Sequence, residues 1–323
     1  MAHTVTLIVG DWVGPETTRV VQNLIADVGV DITWQAFHCP DGLVDQELLN
    51  SARTTRRVLM NRLAAPRKPG SLPASILIRK ELGLWAQIRH VRNLPGLSSR
   101  FDDVDVMIVR ETSEDIYSGF EHQTAPGVYE SVKVTTVEAC ERIARFAFEQ
   151  AREQGRKKVT IVHKSNIMKK SDGLFLRTAQ RVARDYPDIQ ADEVIVDALC
   201  MKLVRWPQSF DVLLCGNLFG DIVADLAAGL AGGISVGGSR NIGDEVLLFE
   251  NPHGKAPELV GTGRANPIPN LLMGIQLLHS LGEDQAAERL TRALHTALPT
   301  LRTADAGGED GCEAVTEAVR AAL

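Results

Sequence analysis

Cysteine is sparse in this chain of 323 residues: Cys39, Cys140, Cys200, Cys215 and Cys312 are scattered, with neither a CxxC pair nor a dense framework. That excludes a disulfide scaffold and a cysteine-ligated zinc module, and predicts reduced thiols in the cytoplasm. No apolar run reaches the roughly 20 residues that a membrane-spanning helix needs. The opening MAHTVTLIVGDWVGPE meets glycine and acid too early for a signal peptide, so neither a membrane nor secretion is expected. Long basic runs are missing as well, and the formal net charge is -6. Nucleic acid, whose binding rests on clustered Lys and Arg, is therefore not an expected partner. Internal repeats and low-complexity tracts are absent. The first apolar strand runs into GDWVGPE rather than a GxGxxG turn, so a nucleotide would have to be held outside a Rossmann site.

What remains is an ordinary globular composition, 44% hydrophobic and 24% charged, long enough for one large domain or two lobes. TVTLIVG reads as a buried strand, and GPETTRVVQNLIADVG as a helix with Pro15 and Glu16 in its first turn. Further strand candidates are DITWQAFHC, VDVMIVRE, KVTIVHK, DEVIVDAL and FDVLLCGN. Between them lie helical patterns such as TVEACERIARFAFEQAREQG and SDGLFLRTAQRVARDYP, an alternation that predicts α/β layering with a largely parallel sheet. Two irregular stretches rich in Gly and Pro, RLAAPRKPGSLPAS and ENPHGKAPELVGTGRANPIP, are long enough to be functional loops.

Chemistry gathers in a few places. In NLFGDIVADLAAGLAGG, residues 217–233, an apolar helical pattern carries Asp221 and Asp225, four apart and so on one face. Two like charges in apolar surroundings repel and lose hydration, so something positive should lie between them. Asp197 ends the candidate strand VIVD, and three carboxylates with open positions would suit a hard divalent cation. The same spacing also serves exposed helices on which each acid makes a local salt bridge, and the residues alone leave both readings open. Arg79, Arg89 and Arg110 have the planar fork that grips carboxylates, or else make ordinary surface ion pairs. Tyr117 and Lys164 are a phenol and an amine that could pass protons near a metal.

In this order, GDWVGPE, LIRKELGLWAQIR, VRETSEDIYSG, HKSNIMKKSDGLF, NLFGDIVADLAAGLAGG and HGKAPELVGTGRANP resemble the metal-dependent β-decarboxylating dehydrogenases, the family of isocitrate and 3-isopropylmalate dehydrogenases. HKSNIMKKSDGLF and GGSRNIGDE are most similar to NAD-dependent isocitrate dehydrogenases. The resemblance implies an α/β fold of two lobes, not a Rossmann fold. Residues 1–97 with 245–323 would form a large cofactor-binding lobe and 98–244 a small lobe for dimerisation and metal binding, with the site in the cleft. It implies NAD-dependent oxidative decarboxylation of a 3-substituted malate, a small 2-hydroxy di- or tri-acid, with Mg2+ or Mn2+. Asp197, Asp221 and Asp225 match the metal ligands. Arg79, Arg89 and Arg110, with Ser75 and Asn166, match substrate-binding positions. Lys164 matches the base that helps take the hydroxyl proton, and Tyr117 the acid that protonates the enol carbon after CO2 leaves. His253, Gly254, Ala256, Glu258 and Asn266 match the cofactor loop, and Glu258 favours NAD because a carboxylate accepts from a ribose 2'-OH and repels a 2'-phosphate. In the family Lys164 and Asp197 reach the neighbouring subunit's site, which implies a homodimer with shared active sites.

One segment departs from the family pattern. Ahead of Arg79 stands Pro73-Ala74-Ser75 instead of the Ser-Leu-Asn usual in isocitrate-specific members, and Arg67 and Lys68 lie just upstream. These two bases suggest an anionic arm on C3, with a phosphonomethylmalate-type substrate as an alternative to isocitrate; solvated loop charges are the plainer account. An alternative of a different class is a non-catalytic regulatory subunit, against which stand Tyr117, Lys164 and the three aspartates.

Overall fold

Apolar strands alternate with amphipathic helices through the computed structural model, which describes residues 2–64, 72–251 and 253–323. In chain order come β1 (His3–Ile8), α1 (Gly14–Asp27), β2 (Ile32–Phe37), α2 (Gln46–Thr55), β3 (Arg57–Met60), α3 (Ala74–Glu81), β4 (Ala86–Arg92) and β5 (Asp105–Glu111). Next are β6 (Glu121–Ala125), β7 (Val128–Ser131), α4 (Val137–Glu153), β8 (Lys158–His163), α5 (Ser171–Ala183) and β9 (Gln190–Ile195). Then follow α6 (Val196–Arg205), β10 (Val212–Cys215), α7 (Asn217–Ala231), β11 (Ser239–Ile242), β12 (Leu247–Glu250), α8 (Ile268–Ser280), α9 (Asp284–Ala297) and α10 (Cys312–Ala322). The elements fall into two compact units. The first takes Met1–Leu84, Asn93–Arg100 and Gly232–Leu323, and the second Trp85–Arg92 and Phe101–Ala231.

In the first unit the strand order is β2-β1-β3-β12-β11, parallel except for β11 against β12. Side chains alternate between the faces of a strand. Leu7, Leu59 and Phe249 enter one apolar cluster with Leu24, Leu277 and Leu290, while Ile8, Val58 and Leu248 enter another with Leu48 and Ile78. Both faces are therefore covered, which is why these strands read as unbroken apolar runs. The sequence patterns did not mark β3, β11 or β12, which at four residues each are too short to show a period.

The second unit has the order β4-β5-β10-β8-β9, with β4 antiparallel to β5 and the others parallel. Pairing of β4 with β5 is what places Trp85–Arg92 in this unit, whereas the sequence division kept those residues in the first lobe. Helix α4 begins where the Thr136 side chain accepts from the Ala139 N–H, and it buries the stripe Cys140, Ile143, Ala144, Ala147 and Ala151. The candidate strand DEVIVDAL is shorter than expected: β9 ends at Ile195, and Asp197 lies in the first turn of α6. Strands β6 and β7 pair only with each other and are exposed on both faces, so no apolar alternation announces them.

Gly96 of the first unit combines a left-handed φ of 75° with close packing: a Cβ there would stand 2.4 Å from the Pro299 Cα. Backbone cannot yield as a side-chain tip can. Gly96→Ala should therefore cost about 2–3 kcal/mol, read as a lowered midpoint in urea denaturation.

Candidate active site

The positive partners of the two helix-borne aspartates are arginines on β4 and β5. In the antiparallel register Gln87 stands opposite Arg110, and Arg89 follows Gln87 by two residues, so all three side chains share one face of the sheet. Helix α7 lies against these strands, with Asp221 and Asp225 one turn apart. Arg110, 5% exposed, ion-pairs with Asp221 through Nη1, and donates to Asn217 Oδ1 from Nε at 3.0 Å and Nη2 at 2.7 Å. Arg89, equally buried, ion-pairs with Asp225 through Nη1. Its Nε and Nη2 are buried donors with no partner among the described residues. Such donors are costly to leave unmet, by about 1–3 kcal/mol each, and a carboxylate would satisfy both.

Gly220 makes this approach possible, since a Cβ there would lie 2.7–2.8 Å from the Cγ and Cβ of Arg110. Tyr117 sits on a short 3-10 turn, Ile116–Ser118, and its hydroxyl donates to Asp221 Oδ2 at 2.8 Å. The Arg110 guanidinium stands 5.2 Å from the centre of its ring. Burial, then the hydrogen bond to Asp221 and that residue's charge, push the Tyr117 phenol above its ordinary range, so it keeps its proton at neutral pH.

Lys164 follows β8 directly. Its Nζ ion-pairs with Asp197 and holds that carboxyl below the usual carboxylate range. Asn166 is exposed in the turn just beyond. Asp197 thus faces a lysine, and among the described residues no three His, Cys, Asp or Glu side chains form a metal-sized group. The side chains of Asp221 and Asp225 are 52% and 73% exposed, and offer hard carboxylate oxygens from one helix face. That donor chemistry fits Mg2+ or Mn2+, with further ligands to come from outside this pair.

The remaining predicted residues belong to the first unit. Arg79, on α3, donates to Glu250 Oε2 at 2.6 Å, and Glu250 also accepts from Asn241 Nδ2 at 3.3 Å. Ser75 lies one turn before Arg79 on the same helix face. In the loop after β12, His253 is buried. Its Nδ1 donates to the Gly254 carbonyl at 2.7 Å, which leaves Nε2 as a buried acceptor without a partner among the described residues. Burial also pulls its pKa below the ordinary 6.5, so the ring is neutral. An amino group such as that of adenine fits this acceptor, and the loop therefore suits a nucleotide. Gly254 and Glu258 are exposed, and Ala256 takes a left-handed φ of 40°. Asn266 is engaged at both ends: Oδ1 accepts from the Ile268 N–H, and Nδ2 donates to Ser235 and Asp305. Arg67 and Lys68 lie outside the described residues.

Sequence reasoning missed Asn217, Gln87 and Glu250. Asn217 was findable, because it precedes Asp221 by four residues on the same helix. Gln87 is identified only by the strand register, and Glu250 carries no local signal.

The family model "Isocitrate/isopropylmalate dehydrogenase" matches residues 4–319. The chain is 40% identical over 326 residues to "Isocitrate dehydrogenase [NAD] catalytic subunit 5, mitochondrial" of Arabidopsis thaliana, covering 98% of this chain and 87% of the relative. It is 41% identical over 329 residues to "Isocitrate dehydrogenase [NAD] regulatory subunit 2, mitochondrial" of the same plant, covering 99% and 89%. Among solved structures, isocitrate dehydrogenase from Methylococcus capsulatus superposes with a TM-score of 0.92 at 38% identity, covering 98% of this chain and 99% of that one.

Two outcomes follow from this geometry. Gly220→Ala should push the stem of Arg110 off α7 and cost about 1–3 kcal/mol in denaturant titration. His253 binds more protons unfolded than folded just below pH 6.5, so its contribution to stability is complete above that pH and is lost as pH falls towards its lowered folded value. Unfolding free energies measured between pH 7 and 5 should fall less steeply in His253→Gln than in the unaltered chain.

Proposed function

Since the chain belongs to the isocitrate/isopropylmalate dehydrogenase family, and so to the decarboxylating dehydrogenases, we propose that it oxidises and decarboxylates an isocitrate-like 3-substituted malate with NAD. The observation that carries this reading is the array on one face of the second unit: a buried arginine with two unmet donors, a second buried arginine, two exposed aspartates and a protonated phenol.

Arg89 binds a substrate carboxylate through Nε and Nη2. Arg110, fixed by Asn217 and Gln87, presents a cation that does not reorganise as charge develops in the substrate. Arg79 and Ser75 on α3 supply further substrate contacts. Asp221 and Asp225 would hold Mg2+ or Mn2+ together with Asp197 of the second protomer. When bound, the metal supplies Lewis acidity at the substrate's hydroxyl and neighbouring carboxylate. Lys164, released from Asp197 and with its amine deprotonated beside the metal's charge, would help take the hydroxyl proton at Nζ as hydride leaves C2 for the nicotinamide. Tyr117 delivers its phenolic proton to the carbon that has lost CO2. His253 orients the adenine end of NAD, and Glu258 accepts from the ribose hydroxyls, a position unfavourable to a 2'-phosphate.

We infer a homodimer in which Lys164 and Asp197 serve the second protomer's site. In support, Asp197 pairs with Lys164 rather than with the α7 aspartates. The second unit also exposes Phe120, Tyr129, Met201, Trp206 and Ile222, apolar side chains that a second protomer would cover. The free thiols suit a reducing compartment, which we take to be the cytoplasm.

NADH absorbance with isocitrate, isopropylmalate, homoisocitrate and phosphonomethylmalate tests the reading. Turnover of one of these with NAD should vanish in EDTA and return with Mg2+ or Mn2+. Asp221→Asn should lower kcat on the order of 100-fold. Metal-independent turnover, or an Asp221→Asn protein with full kcat, would refute it.

A further inference from the structure

Behind the Tyr117 turn lies a feature that the proposed chemistry does not use. A cavity of about 30 Å³ in the second unit is lined by Glu111, Glu114, Asp115 and Asp172, with Lys133 the one basic group among its lining residues. The Lys133 side chain, 19% exposed, comes from the segment between β7 and α4 and lies 5.1 Å from the centre of the Phe219 ring. Its Nζ is 2.9 Å from Asp172 Oδ1 and 3.3 Å from Asp115 Oδ2, and both carboxylates are only 5% exposed. Buried acids of this kind need a cation beside them.

Each acid goes on to hold a piece of the proposed machinery. Asp115 accepts from the Ile116 N–H at 2.8 Å, which starts the turn bearing Tyr117, and from the Leu218 N–H at 3.1 Å, at the head of the helix bearing Asp221 and Asp225. Asp172 Oδ2 accepts from the Lys164 N–H at 2.6 Å. Asp115 itself has φ 75° and ψ -155°, a conformation reserved almost entirely to glycine and kept only where surrounding contacts over-determine it.

We propose that Lys133 is a positioning residue for catalysis: by bridging Asp115 and Asp172 it locks the Tyr117 turn and the start of α7 to the backbone of Lys164. This rests on Tyr117 and Lys164 being the acid and the base. The bridge ties the phenol and the aspartate-bearing helix of one site to the main chain of the lysine that serves the second protomer's site. A lysine suits the task because its three donors can reach two carboxylates that do not face each other.

The test uses the full-length protein with NAD, saturating Mg2+ and isocitrate, or the member of the substrate panel turned over fastest. Lys133→Met should lose roughly 10- to 100-fold in kcat while the KM for NAD stays unchanged, because the cofactor loop belongs to the first unit. Lys133→Arg should recover part of that loss. Combined with Tyr117→Phe, Lys133→Met should cost less than in the unaltered chain, since the part of its effect that runs through the phenol is already lost. A purely structural role would instead depress both backgrounds alike. Thermal unfolding identifies variants that fold; if Lys133→Met does not, Asp172→Asn removes one side of the bridge with less loss of charge balance and is held to the same outcomes. Full kcat in either folded variant, or losses that multiply with Tyr117→Phe, overturns the proposal while leaving the assigned acid intact. Full turnover in Tyr117→Phe alone overturns the assigned acid and this proposal together.

Discussion

Two arginines on neighbouring antiparallel strands are tolerable in the interior here because two largely exposed acids on one face of an apolar helix meet them. Arg110 and Arg89 are themselves buried, and a buried guanidinium without an acid beside it would be as unfavourable as the converse. Sheet and helix therefore hold each other through charge as well as through apolar packing. The compensation is incomplete on the side that matters: Arg89 keeps two donors unmet, and both aspartates remain open to solvent. A cluster assembled this way is neutralised enough to fold and still keeps unmet donors and open carboxylates.

The close fit of α7 on β5 carries the same logic into the backbone. Only a residue without a side chain lets the helix approach the stem of Arg110, and Asn217 at the head of that helix then takes two of the guanidinium's hydrogen bonds. Tyr117 leans on the same pair, with its hydroxyl on Asp221 and its ring beside Arg110. Asp221 thus positions the phenol and adds to the burial that keeps it protonated.

Much of this was legible in the chain. Strands β1, β5, β8 and β10 and helices α1, α4, α5 and α7 announce themselves by apolar runs and periodicity, and the α/β class with a largely parallel sheet followed from their alternation. The boundary between β9 and α6 did not, because VIVD suits a strand as well as the first turn of a helix. Strands of four residues lack a period, and the β6–β7 hairpin has no buried face to impose one. Within the site, the shared helix face of Asp221 and Asp225 could be read from spacing alone. Their arginine partners could not, since the β4–β5 register joins residues far apart in sequence. Lys133 and Asp172 were invisible for the same reason: nothing local says that a lysine after a hairpin will lie between two acids from other elements.

The unmet ring nitrogen of His253 has a further consequence for the choice of base. The unmet lone pair of a buried, neutral imidazole would welcome an exocyclic amine and oppose a carbonyl at the same position. Guanine and hypoxanthine carry oxygen where adenine carries nitrogen, so a dinucleotide built on either would bring two acceptors face to face. The loop would then sort nucleobases by the direction of a single hydrogen bond, independently of how it treats the ribose.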